Sequence, residues 1–186
     1  MKTIAIKNLM VPLEEYATVS EEATLFEAVS ALENAQEMLD REKYKYLHRA
    51  ILVYDKNKKI VGKISQLDVL RSLEPKYDDL GDMSKMSRTG FSPQFLKTML
   101  KQGALWETPL RDICMKAGNF KVKTFMYTPT EGEYIAEDAS LDEAIHLLVM
   151  GHHHSLLVTR GKEIIGILRL TDVFAEIFQM MKTCEI

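Results

Sequence analysis

Two stretches of the chain place a glycine, a polar residue and an aspartate at matching intervals. They are Gly62-Lys63-Ile64-Ser65-Gln66-Leu67-Asp68 and Gly166-Ile167-Leu168-Arg169-Leu170-Thr171-Asp172. Glycine lets a ligand approach the backbone closely. A hydroxyl with helix-start amides can contact a sugar or a phosphate, and an aspartate can accept from both hydroxyls of a ribose cis-diol. Ser65 and Asp68 also have a plainer use, because Ser-x-x-Asp can cap a helix start. Arg169 cannot serve as such a cap, so capping does not account for Asp172. Thr171 could cap instead, with its helix starting two residues later. Both uses stay open on spacing alone.

The run His152-His153-His154 raises metal binding. Consecutive residues in an extended segment point to alternate faces, so at most two imidazoles converge. A third ligand would have to be His146, a carboxylate or a residue of a second subunit. No metal site is therefore expected, and a metal-responsive sensor is a minor alternative. Histidines beside a phosphate would still make its affinity pH-sensitive near neutrality. The chain lacks a Gly-x-x-x-x-Gly-Lys-Ser/Thr loop, a Gly-x-Ser-x-Gly elbow and a His-Glu-x-x-His pair. No catalytic residue and no required cofactor are assigned, and the expected class is not an enzyme.

The elements that must position these residues occur twice. Shifted by 116 positions, residues 6–29 fall on 122–145 without a gap, and eight of the 24 pairs are identical, including Lys7/Lys123, Met10/Met126, Leu25/Leu141 and Ala28/Ala144. Chance would give about one or two, so the chain carries an internal duplication. Thr18-Val19 and Tyr134-Ile135 read as short extended segments. Thr24–Glu27 and Ser140–Glu143 read as capping boxes opening amphipathic helices. Apolar runs Ala50–Tyr54 with Ile60–Ser65, and Leu156–Thr159 with Ile164–Leu168, read as hairpins closed by Asp55–Lys59 and Arg160-Gly161-Lys162. Closing helices are expected near Gln66–Leu73 and Thr171–Met181. The unit is β-α-β-β-α.

The copies differ in length at one point. Eleven extra residues lie between the first helix and the second strand of copy one, about three helical turns. The added piece, Glu37–Tyr46, is charged and tyrosine-rich, and the expectation is a solvated extension of the helix, with a partner-binding spur as the alternative. Between the copies, Ser92-Pro93 predicts a helix start with Phe95, Leu96, Met99 and Leu100 on its apolar stripe. Trp106 follows, and then a short helix around Leu110–Ala117. The organisation expected is repeat one at 1–74, a helical linker at 75–119 and repeat two at 120–186.

Composition narrows the partners. The 186 residues are 46% hydrophobic and 27% charged, enough apolar material for a core. Net charge is −3, with 14 basic and 15 acidic residues through Pro93 and 10 and 12 after it. Neither half has the positive excess that a phosphate backbone requires, so nucleic acid is not expected. The two cysteines, Cys114 and Cys184, lie far apart and form no disulfide framework. No stretch approaches the roughly 20 apolar residues of a membrane span, and Lys7 interrupts any signal-like start. A soluble, cytoplasmic protein is expected.

The duplicated β-α-β-β-α unit, the Val/Ile-x-x-x-Met starts at Ile6–Met10 and Val122–Met126, and the Gly-x-x-Ser/Thr-x-x-Asp ending together resemble a tandem pair of cystathionine-β-synthase (CBS) domains, a Bateman module. The resemblance implies an α/β (α+β) fold with two repeats packed about a pseudo-twofold axis. It also implies a regulatory module whose clefts bind an adenosine-containing ligand such as AMP, ADP, ATP or S-adenosylmethionine. The family's hydroxyl position falls on Ser65 and its ribose-binding aspartate on Asp68 and Asp172. The adenine-holding backbone falls at Thr18-Val19 and Tyr134-Ile135, and phosphate-facing residues at His48-Arg49 and His153-His154. Arg169 departs from the usual Thr/Ser, though an arginine there could grip a phosphate. The resemblance further implies a homodimer and an effector protein. The alternative is an interaction module that reads a partner through the linker.

Overall fold

A computed structural model describes residues 4–73 and 112–183. The expected helix after Ser92-Pro93, and Trp106, lie outside the described residues. In repeat one, β1 (Val11–Pro12), β2 (Thr18–Ser20), α1 (Leu25–Glu37), β3 (Ala50–Tyr54), β4 (Ile60–Ser65) and α2 (Gln66–Ser72) follow in order. After the short α3 (Ile113–Asn119), repeat two runs β5 (Tyr134–Ala136), α4 (Leu141–Gly151), β6 (Ser155–Arg160), β7 (Glu163–Arg169) and α5 (Leu170–Lys182).

Local chemistry sets the boundaries. Thr24 Oγ1 accepts from the Glu27 amide at 3.2 Å while the Glu27 carboxylate accepts from the Thr24 amide at 2.6 Å, a complete capping box. At α4 the Ser140 hydroxyl accepts from the Glu143 amide, but the reciprocal bond expected of Glu143 does not form. Within each repeat a parallel strand pair is joined by a helix and extended by an antiparallel hairpin: β2-β3-β4, and β5-β6-β7. Gly161, at φ +61°, supplies the left-handed turn of the second hairpin.

The repeats exchange their lead segments. Val11 and Pro12 pair with Ile167 and Gly166, so β1 completes the four-stranded sheet of repeat two. Reciprocally, Tyr127 exchanges two 2.9 Å backbone bonds with Lys63 on β4. The Ile6 amide donates to Ala139 O and the Val122 amide to Ala23 O, and these two bonds lie 116 residues apart on both sides. Ile6 is fully buried in the core of repeat two, and Val122 in the core of repeat one. This explains the two glycines differently from the sequence reading. A Cβ on Gly166 would lie 2.5 Å from Val11 O, and one on Gly62 would lie 2.6 Å from Met126 Sδ. The close approach they permit is made by the opposite repeat's lead segment.

The eleven-residue addition is not a helical extension. α1 ends at Glu37, and the Asp40 carboxylate accepts from the amides of Glu42 and Lys43, a local turn that competes with helix. Leu39, Tyr44 and His48 are buried, and Leu39 and Tyr44 pack with Val11, Leu157 and Ile167 in a core shared by both repeats. Burial of these side chains against repeat two, rather than solvation of a helical overhang, decides the path of the segment.

Candidate ligand cleft between the repeats

A cleft of about 570 Å³ opens between the repeats, within the range of small-molecule sites. Repeat one contributes Arg49, Ala50, Lys63, Ser65, Leu67 and Asp68. Repeat two contributes Tyr127, Glu133, His152 to His154, Arg169 and Thr171. Of the residues singled out from sequence, Arg49, Ser65, Asp68, His154, Arg169 and Thr171 therefore line it. Thr18, Val19, Tyr134 and Ile135 lie in the edge strands β2 and β5, and neither they nor His48 and Asp172 line this cleft.

Ser65 sits at the junction of β4 and α2, where it caps the helix and lines the cleft. Its hydroxyl accepts from the Asp68 amide at 3.2 Å and donates to Asp68 Oδ2 at 2.6 Å, and Oδ2 also accepts from the Ser65 amide at 2.8 Å. The capping box thus fixes Asp68 at the cleft wall. Its other oxygen, Oδ1, pairs with Arg71 at 3.8 Å and with no other group among the described residues.

The second copy of the motif is built differently. α5 starts directly after Arg169, so of the uses left open for Thr171 capping is not the one realised, and the Leu170 amide bonds to His154 O at 3.0 Å. The Arg169 guanidinium pairs through Nε and Nη2 with Asp172, the latter at 2.6 Å. Its Nη1 donates to Tyr46 O at 2.9 Å and lies 3.1 Å from His48 Nδ1. His48 Nε2 lies 3.0 Å from Glu15 O, which can only accept. The imidazole is therefore the neutral Nε2–H tautomer, accepting from Arg169 at Nδ1. Burial first, and the Arg169 charge second, hold the His48 pKa below its ordinary value. His48, expected to face phosphate, is instead fully buried.

A second buried ion pair spans the repeats, and spacing did not single it out. Lys63 pairs with Glu133, which also accepts from Tyr127 Oη at 2.6 Å and the Thr130 amide at 3.0 Å. Burial alone would raise the Glu133 pKa, but the bonds from Lys63 and Tyr127 outweigh it and hold the carboxyl low. Burial and the Glu133 bond push the Tyr127 hydroxyl up to about 12, so it remains a donor. Glu133 stands where repeat one has Ala17. That asymmetry between the copies is the signal that could have found it.

Among the described residues, no three or more His, Cys, Asp or Glu side chains are grouped to hold a metal ion. None of their helices is long and apolar enough to cross a membrane.

Paired β-α-β-β-α repeats with exchanged lead segments and an intervening cleft define a tandem-repeat module. Residues 6–75 and 122–179 each match the CBS domain family, and the chain belongs to that family. It is similar to CBS-pair protein CBSX2 from Arabidopsis thaliana, with a TM-score of 0.61 at 16% identity, covering 98% of this chain and 100% of that one. A CBS domain-containing protein from Bacillus anthracis gives 0.61 at 16%, covering 95% and 94%. CBSX2 in complex with AMP gives 0.56 at 17%, covering 95% and 98%. At these identities the likeness is one of fold. No curated protein matches the chain.

Proposed function

We propose that this CBS pair is a non-catalytic regulatory module that reversibly binds an adenosine-containing nucleotide in the cleft between its repeats. The observation that carries the reading is the placement of Ser65 and Asp68, with an under-used carboxylate oxygen, opposite the basic and histidine-bearing wall of one cleft. Asp68 accepts the ribose hydroxyls, with Ser65 beside it. Ala50, Leu67 and the Tyr127 ring offer the base an apolar surface. Arg49 is exposed and has no hydrogen-bond or ion-pair partner among the described residues, and with His154 it meets the phosphates. The AMP complex of CBSX2 supports the ligand class.

Homodimerisation is part of the proposal. Phe26 on α1, Leu70 on α2, Val149 on α4 and Phe174 and Phe178 on α5 expose large apolar side chains, of the kind a second copy would cover. A ligand that binds two arrangements of the pair unequally shifts their populations, and an effector protein reads the shift.

The test is thermal denaturation with AMP, ADP, ATP or S-adenosylmethionine. A ligand at about 100 times its Kd stabilises the fold by about 2.7 kcal/mol, a rise of roughly 5–10 °C for a chain of this size. Asp68→Ala is expected to abolish the rise. A flat response of the folded wild type to all four ligands would remove the nucleotide reading.

A further inference from the structure

Pseudo-symmetry supplies a comparison inside one chain. The strand registers pair Ala50 with Ser65 in one repeat and Ser155 with Arg169 in the other. His48 therefore corresponds to His153 and Ser65 to Arg169, while the 116-residue shift sets Tyr16 against Gly132. Around Asp172 the chain places Tyr16, His48 and Arg169, each at most 6% exposed. The corresponding residues of the other copy are Ser65, which bonds Asp68, and Gly132 and His153, which lie against each other. Tyr16, Arg169 and His153 all border the cleft while His48 does not, and of the four only His153 is left partly exposed.

The bonding follows the same division. Asp172 receives a two-point clamp from Arg169, which is locked in turn by Tyr46 O and His48 and lies 5.4 Å from the centre of the Tyr44 ring. Tyr44, Tyr46 and His48 all belong to or flank the eleven-residue addition, which repeat two lacks. Among the described residues Asp68 has no such clamp, and Arg71 stands 3.8 Å from Oδ1. A ribose diol at Asp172 would have to displace a buried bidentate guanidinium, whereas at Asp68 it meets an oxygen held only by the half-exposed Arg71 at 3.8 Å among the described residues.

We infer that the chain takes one nucleotide per pair of repeats, on the Asp68 side, because its own Arg169, His48 and Tyr16 fill the matching half-site at Asp172. The inference rests on the nucleotide reading above and adds the site and its stoichiometry. The addition in repeat one then holds the plugging guanidinium in place through Tyr46 O and the Tyr44 ring, and the two repeats have unequal roles.

Isothermal titration of the full chain with AMP, ADP, ATP and S-adenosylmethionine tests this. The binding ligand is expected to saturate at one equivalent per chain, and Asp68→Ala to lose saturable binding. Two equivalents on the wild type, or one surviving equivalent on Asp68→Ala, would overturn the single-site inference and leave nucleotide binding standing. No heat with any of the four on folded wild type would overturn nucleotide binding itself, and the single site with it.

Discussion

An imidazole that donates from one nitrogen and accepts at the other has no room for a second proton, and His48 is in that position between Glu15 O and Arg169. Protonation would turn an N–H toward a guanidinium N–H in a buried site. The folded state therefore holds His48 neutral, with its pKa below the ordinary 6.5, while the unfolded chain titrates near that value. The sign follows from linkage: the unfolded state binds the extra proton, so this contribution is complete above pH 6.5 and is lost as pH falls toward the folded pKa. In that window stability should fall by up to about 1.4 kcal/mol per pH unit from this residue. Urea midpoints at pH 7.5 and 5.5 check it. His48→Gln should start from a lower midpoint at pH 7.5 and show a smaller drop; an unchanged drop would assign the acid sensitivity elsewhere.

At the scale of elements, the lead segments are held by shape as much as by hydrogen bonds. Gly166 faces backbone, since an added Cβ would meet Val11 O at 2.5 Å, and backbone cannot step aside without breaking β1 from β7. Gly62 faces the flexible end of Met126 at 2.6 Å, with Tyr127 O farther off at 3.2 Å. The two symmetry-related substitutions should therefore differ. Gly166→Ala is expected to cost about 1–3 kcal/mol, and Gly62→Ala less, because methionine repacks readily. Chemical denaturation of both variants measures the difference, and equal losses would mean that the β1 strand yields as easily as a side chain.

For the whole molecule, the exchange makes each repeat a structural part of the other. Ile6 fills the core of repeat two and Val122 that of repeat one, while Leu39 and Tyr44 join the core between them. Neither repeat can lose its partner without opening its own interior. Ile6→Ala should cost about 2–5 kcal/mol, and hydrogen exchange should show protection falling in β2–β4 as well as in β5–β7. Loss confined to β5–β7 would show two separable units. A cooperative pair suits the proposed regulatory role, since both halves line the cleft.

Much of this was legible in the residues alone. Apolar runs bounded by turn residues placed β3 at Ala50–Tyr54 and β4 at Ile60–Ser65, and the ends of α2 and α5 fell within a residue or two, because these features depend on neighbours along the chain. The duplication was legible because repeats leave matched residues at a fixed shift. What each motif residue touches was not. Spacing could not say that Gly62 and Gly166 make room for the other repeat's backbone, that the Glu37–Tyr46 addition turns inward, or that Arg169 holds Asp172 against His48. Nor could it bring Lys63 to Glu133, 70 positions away. These follow from how two similar halves pack face to face, where small differences such as Ala17 against Glu133, Tyr16 against Gly132 and Ser65 against Arg169 decide which side closes and which stays open. Spacing along the chain sets the elements and their doubling, whereas their inequality arises in the folded molecule, because burial and pairing depend on residues that meet in space.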